Sequence, residues 1–183
     1  PSHRFTVHAR YVVLAAGCMG TPTLLQRSGD LANASGEVGR NLQFHPGAAV
    51  AGVFDHVIDP LFGGTQSYQS LDFLKEGFKL ETMWSAPAAL AVRTAGLGGE
   101  LVQRFSELPR TAIWDAIAST HRSLGSVKAR FRAMNPAIRW TLHPEDAKVM
   151  LRSVYVLSQI FFAAGAEKVM PGIHGLPDEF SSM

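Results

Sequence analysis

The chain has 183 residues, room for one ordinary domain or parts of two. Hydrophobic residues make up 46% and charged residues 17%, which excludes a disordered chain. The net charge of +2 comes from scattered Lys and Arg with no basic stripe, so nucleic acid is not an expected partner, and no apolar run has the length of a transmembrane segment.

Arg4 to His8 alternates enough for a short strand. Tyr11 to Leu14 is an apolar run, the pattern of a central parallel strand covered on both faces. Ala15-Ala16-Gly17 then removes nearly all side chains, so another body can approach the backbone closely. Thr21 and Pro22 read as N-cap and first position of a helix with Leu24 and Leu25 on its apolar face. Gly29 suits the left-handed position that closes it. The unit is strand–turn–helix, with the turn kept clear at a strand's carboxyl end, where open α/β sheets bind ligands. Close packing of helix on strand would use the same small residues.

Cys18, the lone cysteine, excludes an internal disulfide and reads as a small buried filler. Pro1 in place of Met, and no stop signal over Asp178 to Met183, make both ends read as cuts through a longer protein.

Asp30 to Glu37 is a polar loop. Val38 to Gly47 (VGRNLQFHPG) is irregular, with Asn41, Gln43 and His45 as hydrogen-bonding side chains. Ala48 to Phe54 reads as a strand and Asp55 to Gly64 as a loop. Thr65 to Asp72 and Phe78 to Trp84 read as two strands paired antiparallel across Phe73 to Gly77. Glu100 to Leu108 is a helix stopped by Pro109. Thr111 to Ser119 fits helix spacing and strand alternation alike. The alternation of Ser126 to Phe131 and Ile138 to Leu142 favours strand, and with it a three-stranded antiparallel meander. The last helix starts at His143 or Thr141, has Pro144, Glu145 and Asp146 in its first turn, and ends at Gly165. Its apolar stripe runs through Met150, Val154, Leu157, Phe161 and Ala164.

The seven histidines show no zinc spacing, so no metal is expected. There is no GxSxG elbow and no P-loop. Gly96, Gly98 and Gly99 lie in a loop without a preceding strand, so they do not form a dinucleotide fingerprint.

The stretch VVLAAGCMGTPTLLQRSG resembles the second signature of the glucose–methanol–choline flavoprotein oxidoreductases, in its Gly, its Thr-Pro pair, its two Leu and its Ser-Gly ending. Cys18 and Asp30 depart from that pattern. VGRNLQFHPG is similar to the family's segment that crosses toward the substrate domain, and RWTLHPEDAKVML with FFAAGAEKV to a later strand and helix. His-Pro without a preceding Asp leans toward the long-chain alcohol oxidase and polyol dehydrogenase branch.

The resemblance implies α/β and α+β architecture: the last part of a Rossmann-type FAD-binding domain, then a substrate domain with an antiparallel sheet and packed helices. The expected division is 1–45 for the FAD portion with the crossing loop, 46–165 for the substrate domain, and 166–183 leading back. It implies FAD as cofactor, held near Ala15, Ala16, Gly17, Thr21, Pro22, Asn41 and His45. Gln66, Tyr68 and Trp84 would face a small-molecule substrate, an alcohol, sterol, sugar or polyol oxidised at CH–OH. The N-terminal GxGxxG and the C-terminal histidine motif that supplies the base have no match here. His174, in GIHGLP, does not fit that motif. Their parts of the same polypeptide would be the missing partners. The other function class is a non-catalytic α+β interaction domain sharing only the strand–turn–helix unit.

Overall fold

The computed structural model describes residues 5–60, 64–92, 94–130 and 133–181. Arg4, Phe131 and residues 61–63, which belong to elements expected above, lie outside them. The chain forms two compact units, one of residues 1–43 and 124–141, the other of 44–123 and 142–183.

In the first unit the helix α1 spans Gly17–Arg27. It starts four residues before the expected N-cap. Thr21 is therefore inside the helix, and its hydroxyl accepts a hydrogen bond from the Ala16 N–H at 3.1 Å. Pro22 is inside too, and has no N–H to give the Cys18 carbonyl. Gly17-Cys18-Met19-Gly20 already winds as helix, which a reading centred on Thr-Pro misses. Gly29 closes the helix in the left-handed conformation as expected, at φ +77°.

The strand expected at Tyr11 to Leu14 is not formed, nor is a strand over residues 5–8. Tyr11, Val12 and Val13 are 78–87% exposed, the opposite of a run covered on both faces. A strand needs a neighbour for its N–H and C=O groups, and no described residue supplies one. Cys18 is likewise exposed, not buried.

The strands β5 (Gly125–Lys128) and β6 (Ala137–Trp140) form an antiparallel hairpin in this unit, with Val127 opposite Ile138. The irregular segment around Leu42 runs beside β5, where Leu42 and Gly125 exchange both backbone hydrogen bonds at 3.0 and 2.8 Å. Gly39 must lack a side chain, because a Cβ there would run into the Val127 carbonyl and the Gln26 amide.

The second unit holds a five-stranded sheet in the order β2-β3-β4-β1-β7. Its strands are β1 (Gly47–Val53), β2 (Gln69–Ser70), β3 (Phe78–Thr82), β4 (Thr111–Ala118) and β7 (Lys168–Met170). All pairs are antiparallel. The expected hairpin of β2 and β3 is present, but β2 is far shorter than Thr65 to Asp72. The expected meander is not. β4 lies between β3 and β1, while β5 and β6 pair in the other unit. Alternation specifies which side chains share a face, not which strand lies alongside, so the error is one of partner choice.

The helix α4 (Pro144–Ala163) packs on one face of this sheet. His143 is its N-cap, with Nδ1 accepting from the Glu145 N–H at 3.2 Å. Gly165 ends it at φ +96°. Val154, Leu157 and Phe161 meet Val50, Phe78, Leu80, Ala116 and Ala118 in the core. Burial of each large apolar side chain is worth about 1.5–3 kcal/mol. Gly52 is required there, since a Cβ would stand 2.6 Å from the Phe161 ring. A short helix α2 (Pro87–Ala91) and the helix α3 (Gly99–Ser106) complete the unit.

Candidate functional site

In the first unit the candidate is the turn entering α1. Ala15, Ala16 and Gly17 are exposed. Gly17 is left-handed at φ +75°, and no atom lies within 4 Å of where its Cβ would stand. Any other residue would be strained there. The first N–H groups of α1 have no intrahelical partner, as at every helix start, and such groups favour an anionic ligand. This open turn with bare backbone fits the approach of a dinucleotide cofactor. Thr21 braces the turn through Ala16, while Pro22 is half-buried in the helix. Asn41 sits apart from the turn in sequence, is left-handed at φ +56°, and donates to Glu37 Oε2 at 2.8 Å.

In the second unit, His45 lies near the start, one residue after Phe44. Its neighbours are pinned to the end of β4: Thr120 Oγ1 donates to the Phe44 carbonyl at 2.5 Å, and the Ala118 N–H donates to the Pro46 carbonyl at 3.0 Å. His45 is left exposed between them.

The sheet face away from α4 carries two kinds of surface. Across β1 and β4 it pairs Ala51 with Ile113 and Ala49 with Asp115. Asp115 leans over Gly47, whose Cβ would stand 2.6 Å from the carboxylate. Beside β1 and β4 lies a cavity of about 670 Å³, lined among others by Met83, Leu90, Leu108, Met170 and Ile173, and by Met150 of α4. Arg104 and Asp178, 3.3 Å apart, and His174 line it as well. Toward β2 the face turns polar. Lys79 Nζ donates to Glu81 Oε2 at 2.5 Å, Gln66 Nε2 donates to Glu81 Oε1 at 2.8 Å, and Glu81 stands opposite Asp115.

Of the expected substrate-side residues, Gln66 therefore reaches the polar patch through Glu81. Tyr68 is 75% exposed, and its backbone pairs with Thr82. Trp84 is half-buried, and its indole N–H finds no acceptor among the described residues. The contacts shown do not join these three. Among the described residues no three His, Cys, Asp or Glu side chains are grouped to hold a metal ion, and no helix is long and apolar enough to cross a membrane.

Sequence reading missed two polar clamps. The Asp146 carboxylate accepts from the N–H groups of His121, Arg122 and Ser123 at 3.3, 3.0 and 2.7 Å, and from the Ser123 hydroxyl at 2.5 Å. Burial pushes the Asp146 carboxyl up, but these donors outweigh it and hold it below its ordinary value. An acidic first turn explains Asp146 locally, so nothing in the sequence points to a partner 23 residues away. The second clamp is Gln26. Its Nε2 donates to the carbonyls of Val38 and Val127 at 3.1 and 3.0 Å, and its Oε1 accepts from the Ala129 N–H at 2.6 Å.

Comparison with known proteins bears on the segment that contains the turn. Residues 2–47 match the family model described as GMC oxidoreductase. The N-terminal domain of that family is its FAD-binding domain, so the match supports FAD as the cofactor. An uncharacterized GMC-type oxidoreductase of Mycobacterium tuberculosis, with the same figures in two strains, is 31% identical over 172 residues, 93% of this chain and 27% of the relative. An uncharacterized GMC-type oxidoreductase of Sinorhizobium fredii is 29% identical over 174 residues, 92% of this chain and 32% of the relative. The glucose–methanol–choline family is thus supported by both kinds of match, and the interaction-domain reading is not favoured. The chain spans between a quarter and a third of the length of these relatives.

Proposed function

We propose that the chain is a portion of an FAD-dependent oxidoreductase that oxidises the CH–OH group of an alcohol. In this reading residues 1–45 contribute to a Rossmann-type FAD-binding domain, joined by 124–141, which fold in the same unit; the rest of 46–165 belongs to the substrate domain, and 166–183 lead back towards the first. The observation that carries it is the open Ala15–Gly17 turn inside the segment matched to the family model. FAD held there would supply the hydride acceptor for alcohol oxidation.

The chain's own residues would do the following. Ala15, Ala16 and Gly17 keep side chains out of the cofactor's approach, and Thr21 holds the turn's shape through the Ala16 N–H. Asn41 and His45 stand on the segment that crosses between the units. The sheet face away from α4 would meet the substrate, with Gln66 and Glu81 offering hydrogen bonds. Tyr68 and Trp84 are proposed for the same side. The apolar lining of the 670 Å³ cavity favours an alcohol with an apolar frame, in the direction of the long-chain alcohol oxidase branch rather than a polyol. No side chain among the described residues is assigned the role of the base that removes the hydroxyl proton. That role is proposed for a part of the polypeptide outside these residues.

Gly17→Val in the full-length protein tests this reading. A branched side chain is strained at positive φ and fills the open approach. The expected result is a folded protein with little bound flavin. A well-folded variant with full flavin absorbance would place FAD elsewhere.

A further inference from the structure

The last turn of α1 grips a segment more than a hundred residues away. Gln26 holds Val127 and Ala129 of the β5 strand and its exit. Arg27 Nη2 donates to the Ala133 carbonyl and, at 3.0 Å, to the Met134 carbonyl. These bonds set residues 127–129 and 133–134 along the same helix whose first turn is the candidate cofactor turn.

Between them is a cleft of about 600 Å³. One wall is the α1 face, where Met19, Leu24 and Arg27 flank the small residues Ala16, Gly20 and Thr23, and the other is Met134, Pro136 and Ile138. At Gly20 a Cβ would stand 2.9 Å from the Ala16 Cβ, so the position is held to glycine by space alone. The second wall presents large apolar groups to the open: Met134 is 89% exposed and Ile138 42%. Apolar side chains on both walls, with a gap left by Ala16 and Gly20 between them, make a slot for a flat apolar body, and the slot is continuous with Ala16 of the turn.

We propose that residues 133–138, which lead into β6, are the second wall of the FAD site. Met134, Pro136 and Ile138 contact a planar ring of the cofactor, and Arg27 and Gln26 are positioning residues that hold this wall in place. The proposal rests on the FAD reading and adds residues 134–138, which lie outside the segment matched to the family model.

The test is FAD titration of the full-length protein stripped of flavin, followed by flavin absorbance and fluorescence. The double variant Met134→Glu/Ile138→Glu places charge in the slot on already exposed positions, so the fold should persist, as checked by an unchanged melting temperature. FAD Kd should rise about tenfold or more. Leu74→Glu, an exposed apolar position in the other unit, should leave it unchanged. Arg27→Ala should weaken FAD binding, and Arg27→Lys, which keeps a donor, should recover part of it. A parallel titration with FMN assigns the ring: lost FMN binding in the double variant marks the isoalloxazine, intact FMN binding the adenine. If the unaltered protein holds flavin and the double variant keeps its FAD Kd, the second wall is wrong and the FAD reading stands. If the unaltered protein binds no FAD, both fall.

Discussion

The two units bury their apolar residues in opposite ways. The sheet unit encloses a continuous core of Val50, Phe78, Leu80, Leu157 and Phe161 between β-strands and α4. The α1 unit buries little beyond Leu42, Val127 and Thr23, and leaves Phe5, Val7 and Tyr11 to Val13 exposed. It is held by polar clamps, Gln26 and Arg27, where the sheet unit is held by packing. Hydrogen bonds contribute a net of about 0.5–1.5 kcal/mol each, less than a buried Leu or Phe. The comparison teaches that the proposed cofactor end is the less self-sufficient half, and that its geometry rests on a few side chains.

The largest expected effect is in amide exchange of the isolated chain. The N–H groups of Ala118 and Ala166, bonded to Pro46 and Phe161, should exchange on the order of a thousand times more slowly than those of Tyr11 to Leu14. Equal protection in both would end the contrast, and would show that the apolar run is covered.

A smaller effect sharpens the view of the sheet unit, which also depends on one buried carboxylate. Asp146→Ala leaves three backbone N–H groups and a hydroxyl without their acceptor, and should cost about 3 kcal/mol in denaturant unfolding. The pH dependence follows from the lowered carboxyl. Its stabilisation is present above the ordinary value of 3.8 and is lost as pH falls below it, through the folded-state value. The unaltered chain should thus lose stability there, and Asp146→Ala should lose less. A variant as acid-sensitive as the parent would assign the effect to other carboxylates.

The smallest effect is expected at His45. Exposed between two pinned backbone positions, it is proposed to support the crossing segment rather than to move the substrate proton. In the full-length enzyme His45→Gln should change the chemical step by less than about tenfold, roughly 1.4 kcal/mol on the barrier. A loss of a hundredfold to ten-thousandfold, the range for a removed general base, would make it one.

Much of the local structure was legible. The α4 stripe from Met150 to Phe161, its Pro144 start and its Gly165 end are signals carried within a few residues and stand in the fold, while Ala164, expected on the stripe, is the exposed C-cap. The β2–β3 hairpin and the short α3 follow from alternation and from Pro109 in the same way. The segment Thr111 to Ser119 was less clear. Helix spacing and strand alternation both fitted it, and it is the central strand, because β1 and β3 flank it and satisfy its backbone. The candidate turn at Ala15–Gly17 was visible as a loss of side chains. The slot's second wall was not, since Met134 to Ile138 carry no signal of their own and gain a role only through Arg27.

By itself the amino-acid sequence determined periodicity, caps, breakers and the bare turn, all properties of neighbouring residues along the chain. It also carried the family likeness. Tertiary structure alone decided which strands pair, that Asp146 and Gln26 are clamps rather than surface groups, and that Tyr11 to Leu14 stays an unpaired apolar run. The reason is physical. A side chain's chemistry is local, but a strand's hydrogen bonds and a buried carboxylate's donors come from wherever the fold brings the chain back.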